Sequence, residues 1–276
     1  MRRELETFPV VAKLDKWAEI DYRLTEQPVY TSNYMDVFSK GQFKSTTQHS
    51  QDTKLAPSEF KTSSDHGKMI YIWVSEYTVN TAGEVYQQSK QLNVTAAEWD
   101  KKVPDEIRKK LFTAVLQPFI PNLIKYPNLP MSVEISSRKA PKVIMKEDNV
   151  HLFLYADAVF SAKQKDGKLI ELFVFKIEVD AKLNVKILNN KVVGDITEFN
   201  YDAAVLKSDI GDIDVSLFTS PFVKMIVENM VKKKANEQLA KGFPLPQLDH
   251  VELDGEEVKL MENVIRIGTD INYKQG

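Results

Sequence analysis

Four histidines, His49, His66, His151 and His250, are the side chains of this sequence best suited to ligate a metal or move a proton. Their spacing serves neither purpose. None lies three to five residues from another and no His-Glu-x-x-His run is present, so a zinc site on one helix or turn is not encoded. His151 heads an apolar run and reads as a hydrogen-bonded edge residue of a strand. Asp209, Asp212 and Asp214, with Gly211 among them, resemble part of a calcium loop. Such a loop needs a glutamate at its twelfth position, which counted from Asp209 is Ser220. Capping a helix that begins near Val215 is the more economical role for Asp212 or Asp214, because the first turn presents free N–H groups. The absence of cysteine excludes thiolate metal sites, disulfides and cysteine nucleophiles. No GxSxG elbow, P-loop or GxGxxG pattern is found, and ten glycines leave little room for phosphate-cradling loops. Neither a metal set nor a nucleophile–base pair emerges, and the chain is not expected to be an enzyme. Asn93-Val94-Thr95 is a glycosylation sequon, a short pattern of small weight.

The elements around these residues are built from 276 residues, 43% of them hydrophobic, enough for one large domain or two small ones. Basic and acidic residues number 37 and 39, for a net charge of −2. No basic patch dominates, which speaks against a nucleic-acid partner. The one dense basic run, Lys232, Lys233 and Lys234, falls near the end of a predicted helix. Cations there suit the helix dipole, so it reads as a solvated terminal turn, with a lipid-headgroup contact as the sharper alternative. No apolar run reaches the length of about 18 residues that a transmembrane helix needs. Met1-Arg2-Arg3-Glu4 is charged with no apolar stretch behind it, so no signal peptide is visible.

Strand signals dominate. Met69 to Val74 is apolar at successive positions, as in a strand covered on both faces. Residues 150–160 and 169–179 follow, joined by a turn holding Asp166-Gly167, a hairpin signal. Ala181, Leu183, Val185 and Ile187 alternate with Lys182, Asn184 and Lys186, giving one dry and one wet face. Asn189-Asn190 turns the chain into Val192 to Ile196, completing an antiparallel meander expected to be long-stranded and strongly curled.

Two helices interrupt it. Val79, Ala82, Val85 and Tyr86 place the first over about residues 76–89. The second runs from about Val215 to Ala240, with Phe218, Phe222, Met225, Ile226 and Met230 as a stripe that Val223, Val227 and Val231 widen. Gly242, Pro244 and Pro246 end it, and Pro221 must either start its regular part or kink it. Residues 105–128 read equally as a proline-broken helix and as a strand leading into a short helix near 119–126. The stretch from about Thr46 to Gly67 is polar and reads as a linker. The 45 residues before it carry strand-like pieces, Pro9 to Leu14 and Met35 to Phe43, with too little apolar material for a separate core, so they must dock on another element. The apolar surface of the second helix is wider than packing on one sheet face requires. It is either ordinary core or the cover of a curled sheet whose interior holds acyl chains.

These residues also resemble a family. Lys241-Gly242-Phe243-Pro244-Leu245-Pro246 after a long amphipathic helix, the alternating strand from His250 to Leu253, and Ile265-Arg266-Ile267-Gly268-Thr269-Asp270-Ile271-Asn272-Tyr273-Lys274 are similar to the ending of one group of proteins. That group comprises the bactericidal/permeability-increasing, lipopolysaccharide-binding and lipid-transfer proteins. Met69-Ile70-Tyr71, Ser75-Glu76-Tyr77, Asn80-Thr81-Ala82-Gly83-Glu84-Val85-Tyr86 and Tyr126-Pro127-Asn128-Leu129 resemble the strand, first helix and helix end of its second barrel. Glu4-Leu5-Glu6-Thr7-Phe8-Pro9-Val10, Asp21-Tyr22-Arg23-Leu24, Met35-Asp36-Val37 and Lys40-Gly41 look like the last part of its amino-terminal half, entering a central sheet.

The resemblance implies an α+β fold: a strongly curved antiparallel sheet (a super-roll barrel) wrapped around a long amphipathic helix plus a shorter one. Residues 1–45 would be a remnant of the central sheet, 46–66 the linker and 67–276 the second lipid-binding barrel. It also implies a secreted protein of innate immunity that binds a phospholipid or other amphiphilic lipid as a non-covalent ligand, with no cofactor. Lipopolysaccharide, a cell-surface receptor and the family's amino-terminal half are the further partners it suggests. Direct killing and endotoxin neutralisation are not carried over, because the family's basic tip lies in the half that is not present in this sequence. The expected lining residues are Tyr77, Ala82, Val85 and Tyr86 on the first helix, and Phe218, Phe222, Met225, Ile226 and Met230 on the second. The rival expectation is a protein–protein docking module in which these same residues are core.

Overall fold

A computed structural model describes residues 10–47, 53–60, 67–245 and 251–273. The Glu4–Phe8 motif, Pro9, His49, His66, His250, Pro246 and Lys274 lie outside the described residues. In chain order the structure runs β1 (Val11–Lys13), β2 (Ala18–Asp21), β3 (Val29–Tyr30), β4 (Met35–Asp36), β5 (Gln42–Ser45), β6 (Ile70–Ser75), α1 (Glu76–Gln88) and β7 (Val94–Ala97). Two short helices follow, α2 (Asp105–Arg108) and α3 (Thr113–Leu116), then a 3-10 turn at Pro121–Lys125. The long strands come next: β8 (Met131–Ser137), β9 (Lys142–Met145), β10 (Val150–Lys163), β11 (Leu169–Leu188) and β12 (Lys191–Ser208). A 3-10 turn at Val215–Thr219 leads into α4 (Pro221–Ile226), a π segment (Val227–Lys232) and α5 (Lys233–Lys241). The chain closes with β13 (Phe243–Pro244), β14 (Val251–Met261) and β15 (Val264–Tyr273). The mixed, sheet-rich class is as expected.

The chain forms two compact units, Met1–Gln91 with Ala140–Val150 and Pro246–Gly276, and Leu92–Lys139 with His151–Leu245. In the first unit β15 lies between β14 and β6, and β2 lies between β1 and β5, all antiparallel. Ser75 caps α1 by accepting from Thr78 N, and the left-handed Lys90 (φ 58°) takes the chain out of it. The early strands dock as their thin apolar content requires: Ala18, Ile20 and Phe43 are buried, and Phe43 N donates to Thr81 Oγ1 of α1 at 3.1 Å. The described linker residues 53–60 carry no helix or strand, yet Phe60 stacks on Trp73 at 5.9 Å. β6 corrects its expectation. Of Ile70–Val74 only Val74 is buried, so the strand is half-covered rather than enclosed on both faces.

The second unit is one antiparallel sheet in the order β13-β12-β11-β10-β8-β7. This path has two ends, so among the described residues it does not close into a barrel. Its hairpins follow the turn residues: Gly167 has φ 86°, and Asn189 and Asn190 have φ 51° and 56°, the left-handed pair that a two-residue hairpin turn demands. β12 continues to Ser208, well beyond Ile196, and bulges at Val174/Phe175 and Lys182/Leu183 interrupt its register with β11. Prolines break residues 105–128 into helical turns, and neither a long helix nor a strand forms there. Pro221 starts the regular helix as its first residue, behind Ser220, whose Oγ accepts from Val223 N.

Candidate functional site

In the second unit, the helical rod of α4, the π segment and α5 lies against the dry face of the sheet. Alternation puts Ala158, Phe160 and Ala162 of β10 and Phe175, Ile177, Val179 and Ala181 of β11 on that face, all buried. The rod answers with Phe222, Val223, Met225, Ile226, Val227, Met230 and Val231, also buried, each contributing about 1.5–3 kcal/mol of hydrophobic stabilisation. Four of the five predicted lining residues here, Phe222, Met225, Ile226 and Met230, belong to this set, and Phe218 is half-buried at its edge.

Phenylalanines meet beneath the start of the rod. Phe160 lies 4.6 Å from Phe173 and 5.1 Å from Phe175 between ring centres, and Phe222 joins at 6.1 Å from Phe160. Phe218 sets its edge on Phe175 at 5.0 Å and an interplanar angle of 70°. The strand phenylalanines did not figure among the expected site residues, although Phe160, Phe173 and Phe175 recur at strand spacing in two adjacent runs. Polar bonds anchor the rod and the turn before it: Tyr201 Oη donates to Phe218 O of the turn at 3.3 Å, and Ile196 N donates to Asn236 Oδ1 of the rod at 2.9 Å. Lys232 sets its ammonium 5.6 Å from the centre of the Phe199 ring. The Lys232–Lys234 run therefore sits in mid-rod, and the place at the helix terminus belongs to Lys241.

In the first unit, Tyr77 and Val85 of α1 are buried, and Ala82 and Tyr86 are half-buried. The Tyr86 hydroxyl donates to Asp15 Oδ2 at 3.0 Å, and burial together with that carboxylate pushes its pKa well above the usual phenol range. Thr81, also buried, accepts from Phe43 N and donates to Thr78 O. Asn80 and Glu76 hold the backbone of β9, an anchoring role the sequence did not signal.

Other predicted groups fall into structural roles. Asp214 Oδ1 accepts from Ser216 N at 2.8 Å and caps the 3-10 turn, whereas the α-helical cap is Ser220. His151 is paired with Asp180 Oδ1 at 2.9 Å near the start of β10, short of the Ala156–Ala162 stretch that β8 covers. Asn93 Oδ1 accepts from Ser137 N at 3.4 Å. Among the described residues no group of three or more His, Asp or Glu is placed to hold a metal ion, and no helix is long and apolar enough to cross a membrane.

The second unit thus sets an apolar rod on a sheet with an aromatic floor. The profile of the LBP / BPI / CETP family, C-terminal domain, matches residues 12–273, and the chain belongs to that family. It is similar to a bactericidal permeability-increasing protein of Sebastes schlegelii (28% identity, 98% of this chain, 56% of the relative). A lipopolysaccharide-binding protein of Homo sapiens is 26% identical, over 98% of this chain and 55% of the relative. The crystal structure of a lipopolysaccharide-binding protein superposes with a TM-score of 0.54 at 22% identity, covering 99% of this chain and 58% of that one. That likeness concerns the fold. The chain spans about half the length of the curated relatives it matches.

Proposed function

We propose that this chain binds an amphiphilic lipid non-covalently, its tail received along the apolar side of Phe218–Met230. The observation that carries the reading is that rod, with Met225 and Met230 on its buried side and the half-buried Phe218 just before it set edge-on to Phe175, in a chain of the LBP / BPI / CETP family. Methionine side chains adapt to varied shapes, which suits a tail of variable length. In this reading the twice-bulged β11–β12 pair curls around the rod as a super-roll. At about 0.8 kcal/mol per methylene, a lipid with about 30 methylenes gains at most about 24 kcal/mol against water. Against a bilayer, where the tails are already dry, the net gain is near zero, as a carrier requires. A site recognised through its apolar side chains selects loosely among headgroups, and both phospholipid and lipopolysaccharide fall within the class. The setting is extracellular, with a cell-surface receptor and the amino-terminal half found in the longer relatives as partners.

Organic extraction of the purified protein followed by mass spectrometry tests this, expecting lipid near one mole per mole. Absence of lipid, together with no uptake of labelled phosphatidylcholine from vesicles, overturns it. One observation favours a second reading. Phe160, Phe173 and Phe175 sit ring against ring, as in ordinary core, which would make the rod a scaffold and the surface a protein-docking module.

A further inference from the structure

We propose that the outward face of β7, β8 and β10 is a binding groove for a neutral saccharide. Two cross-strand rows make its floor. Thr95 and Val159 flank Glu134 in one row, and Ala97 and Ser161 flank Ser132 in the other. Strand alternation puts their neighbours Val133, Ile135, Ala158 and Phe160 on the opposite, buried face, where Phe160 meets Phe222. The groove is therefore on the side of the sheet away from the helical rod and does not depend on the lipid reading.

Short side chains at five of the six floor positions leave a depression of about 500 Å³, walled by Trp99, Asp100 and Leu169. That volume is within the range of small-ligand sites, roughly 300–1,000 Å³. Trp99 is 37% exposed and Leu169 51%, so apolar walls stand open to solvent beside hydroxyls and carboxylates. The Lys163 ammonium lies 4.8 Å from the centre of the Trp99 ring and occupies one face of the indole, leaving the other for a stacked partner.

A sugar ring answers this combination. Its C–H face packs on an indole, and its hydroxyl rim both donates and accepts. Glu134 is exposed and makes no ion pair among the described residues, so its oxygens are available to accept from sugar hydroxyls. Asp100 uses Oδ1 to accept from Lys102 N and retains its second oxygen. Thr95, Ser132 and Ser161 supply hydroxyls that work in either direction. Two carboxylates disfavour an anionic ligand, and Lys163 beside Trp99 disfavours a cation. A neutral polyol with one apolar face fits best, whether as a soluble saccharide or as the headgroup of a glycolipid.

The test uses the full chain, produced without N-glycosylation so that no glycan on Asn93 competes. Maltose, lactose and methyl α-glucopyranoside are titrated while Trp99 indole and strand amide shifts are followed by NMR, and vesicles of phosphatidylcholine with or without a neutral glycosylceramide are tested by co-sedimentation. Saturable shifts confined to Trp99, Ser132, Glu134 and Ser161 support a soluble ligand, and glycolipid-dependent co-sedimentation supports the membrane-borne one. In either arm Trp99→Ala and Glu134→Gln each weaken binding about tenfold, as loss of one stacked ring or one charged acceptor entails. Ser161→Tyr, which fills the floor from the solvent side, abolishes it with the thermal midpoint unchanged. No saturable response in either arm, or a response that all three variants leave intact, overturns the assignment.

Discussion

Asn80 and Val143 bind each other as residues of neighbouring strands do, although one of them is on a helix. Asn80 Nδ2 donates to Val143 O at 3.0 Å, and Val143 N donates to Asn80 Oδ1 at 2.7 Å. One turn earlier, Glu76 Oε1 accepts from Met145 N at 3.2 Å. A side-chain amide thus does the work of a missing backbone ladder and fixes β9 on α1. Asn80→Ala leaves two backbone groups without partners and should cost about 1–3 kcal/mol by urea denaturation. Asn80→Asp turns the donor into a second acceptor facing a carbonyl and should cost at least as much at pH 7. A midpoint equal to the parent's for both variants would remove this role.

Gly41 sits in the left-handed region at φ 58°, and a Cβ there would fall 2.8 Å from Thr78 Oγ1. Gly41→Ala should therefore destabilise the first unit by more than about 1 kcal/mol, combining backbone strain with the clash. Thr78→Ala in the same chain should recover the clash and not the strain. The double-mutant cycle measures that difference, and strict additivity would show the clash to be absent.

Asp21 has its side chain buried, and hydrogen bonds from Arg23 hold its pKa far below the usual carboxylate range, with Lys44 at 3.1 Å assisting. Between the depressed folded value and the ordinary value near 4, the unfolded chain binds the extra proton and the folded chain does not. Stability from this group is thus complete above about pH 4 and is lost as pH falls further. Asp21→Asn should lower stability at pH 7 and flatten the acid limb of the stability–pH curve below pH 4. Parallel curves for parent and variant would contradict the assignment.

Within the lipid reading, Met225→Trp and Ile226→Trp crowd the rod's apolar side. Each should reduce extracted lipid severalfold and cost about 1–3 kcal/mol by overpacking, with the fold retained by circular dichroism. Unchanged lipid content across both would detach these residues from the ligand.

The hairpins were legible because their turn residues carry the answer: Asn189, Asn190 and Gly167 occupy left-handed positions that few residues tolerate. The rod's buried stripe was legible from spacing, since Phe222, Met225, Ile226 and Met230 share one side of any helix near that period. What contacts that side was not. Phe160, Phe173 and Phe175 come together through strand pairing, which no local pattern reports. The saccharide groove is less legible still, because its floor exists only once three strands fix their registers. Lys232–Lys234 was misplaced for another reason: its charge suggested a terminal turn, although the helix expected to reach about Ala240, and ending at Lys241, continues well past it through polar residues.

The wide turns at Val227–Lys232 bear on how the rod tolerates changes in length. Each i→i+5 bond accommodates one residue more than an α turn does. Removing one residue there lets the turn tighten to α geometry while Asn236 still reaches Ile196 N and Phe222 keeps its place over Phe160. The same removal within Lys233–Lys241 would swing everything downstream by about 100° and carry Gly242 off its seat against Val193. Insertions and deletions among homologous helices of this kind should accordingly collect in the middle of the rod and spare its ends.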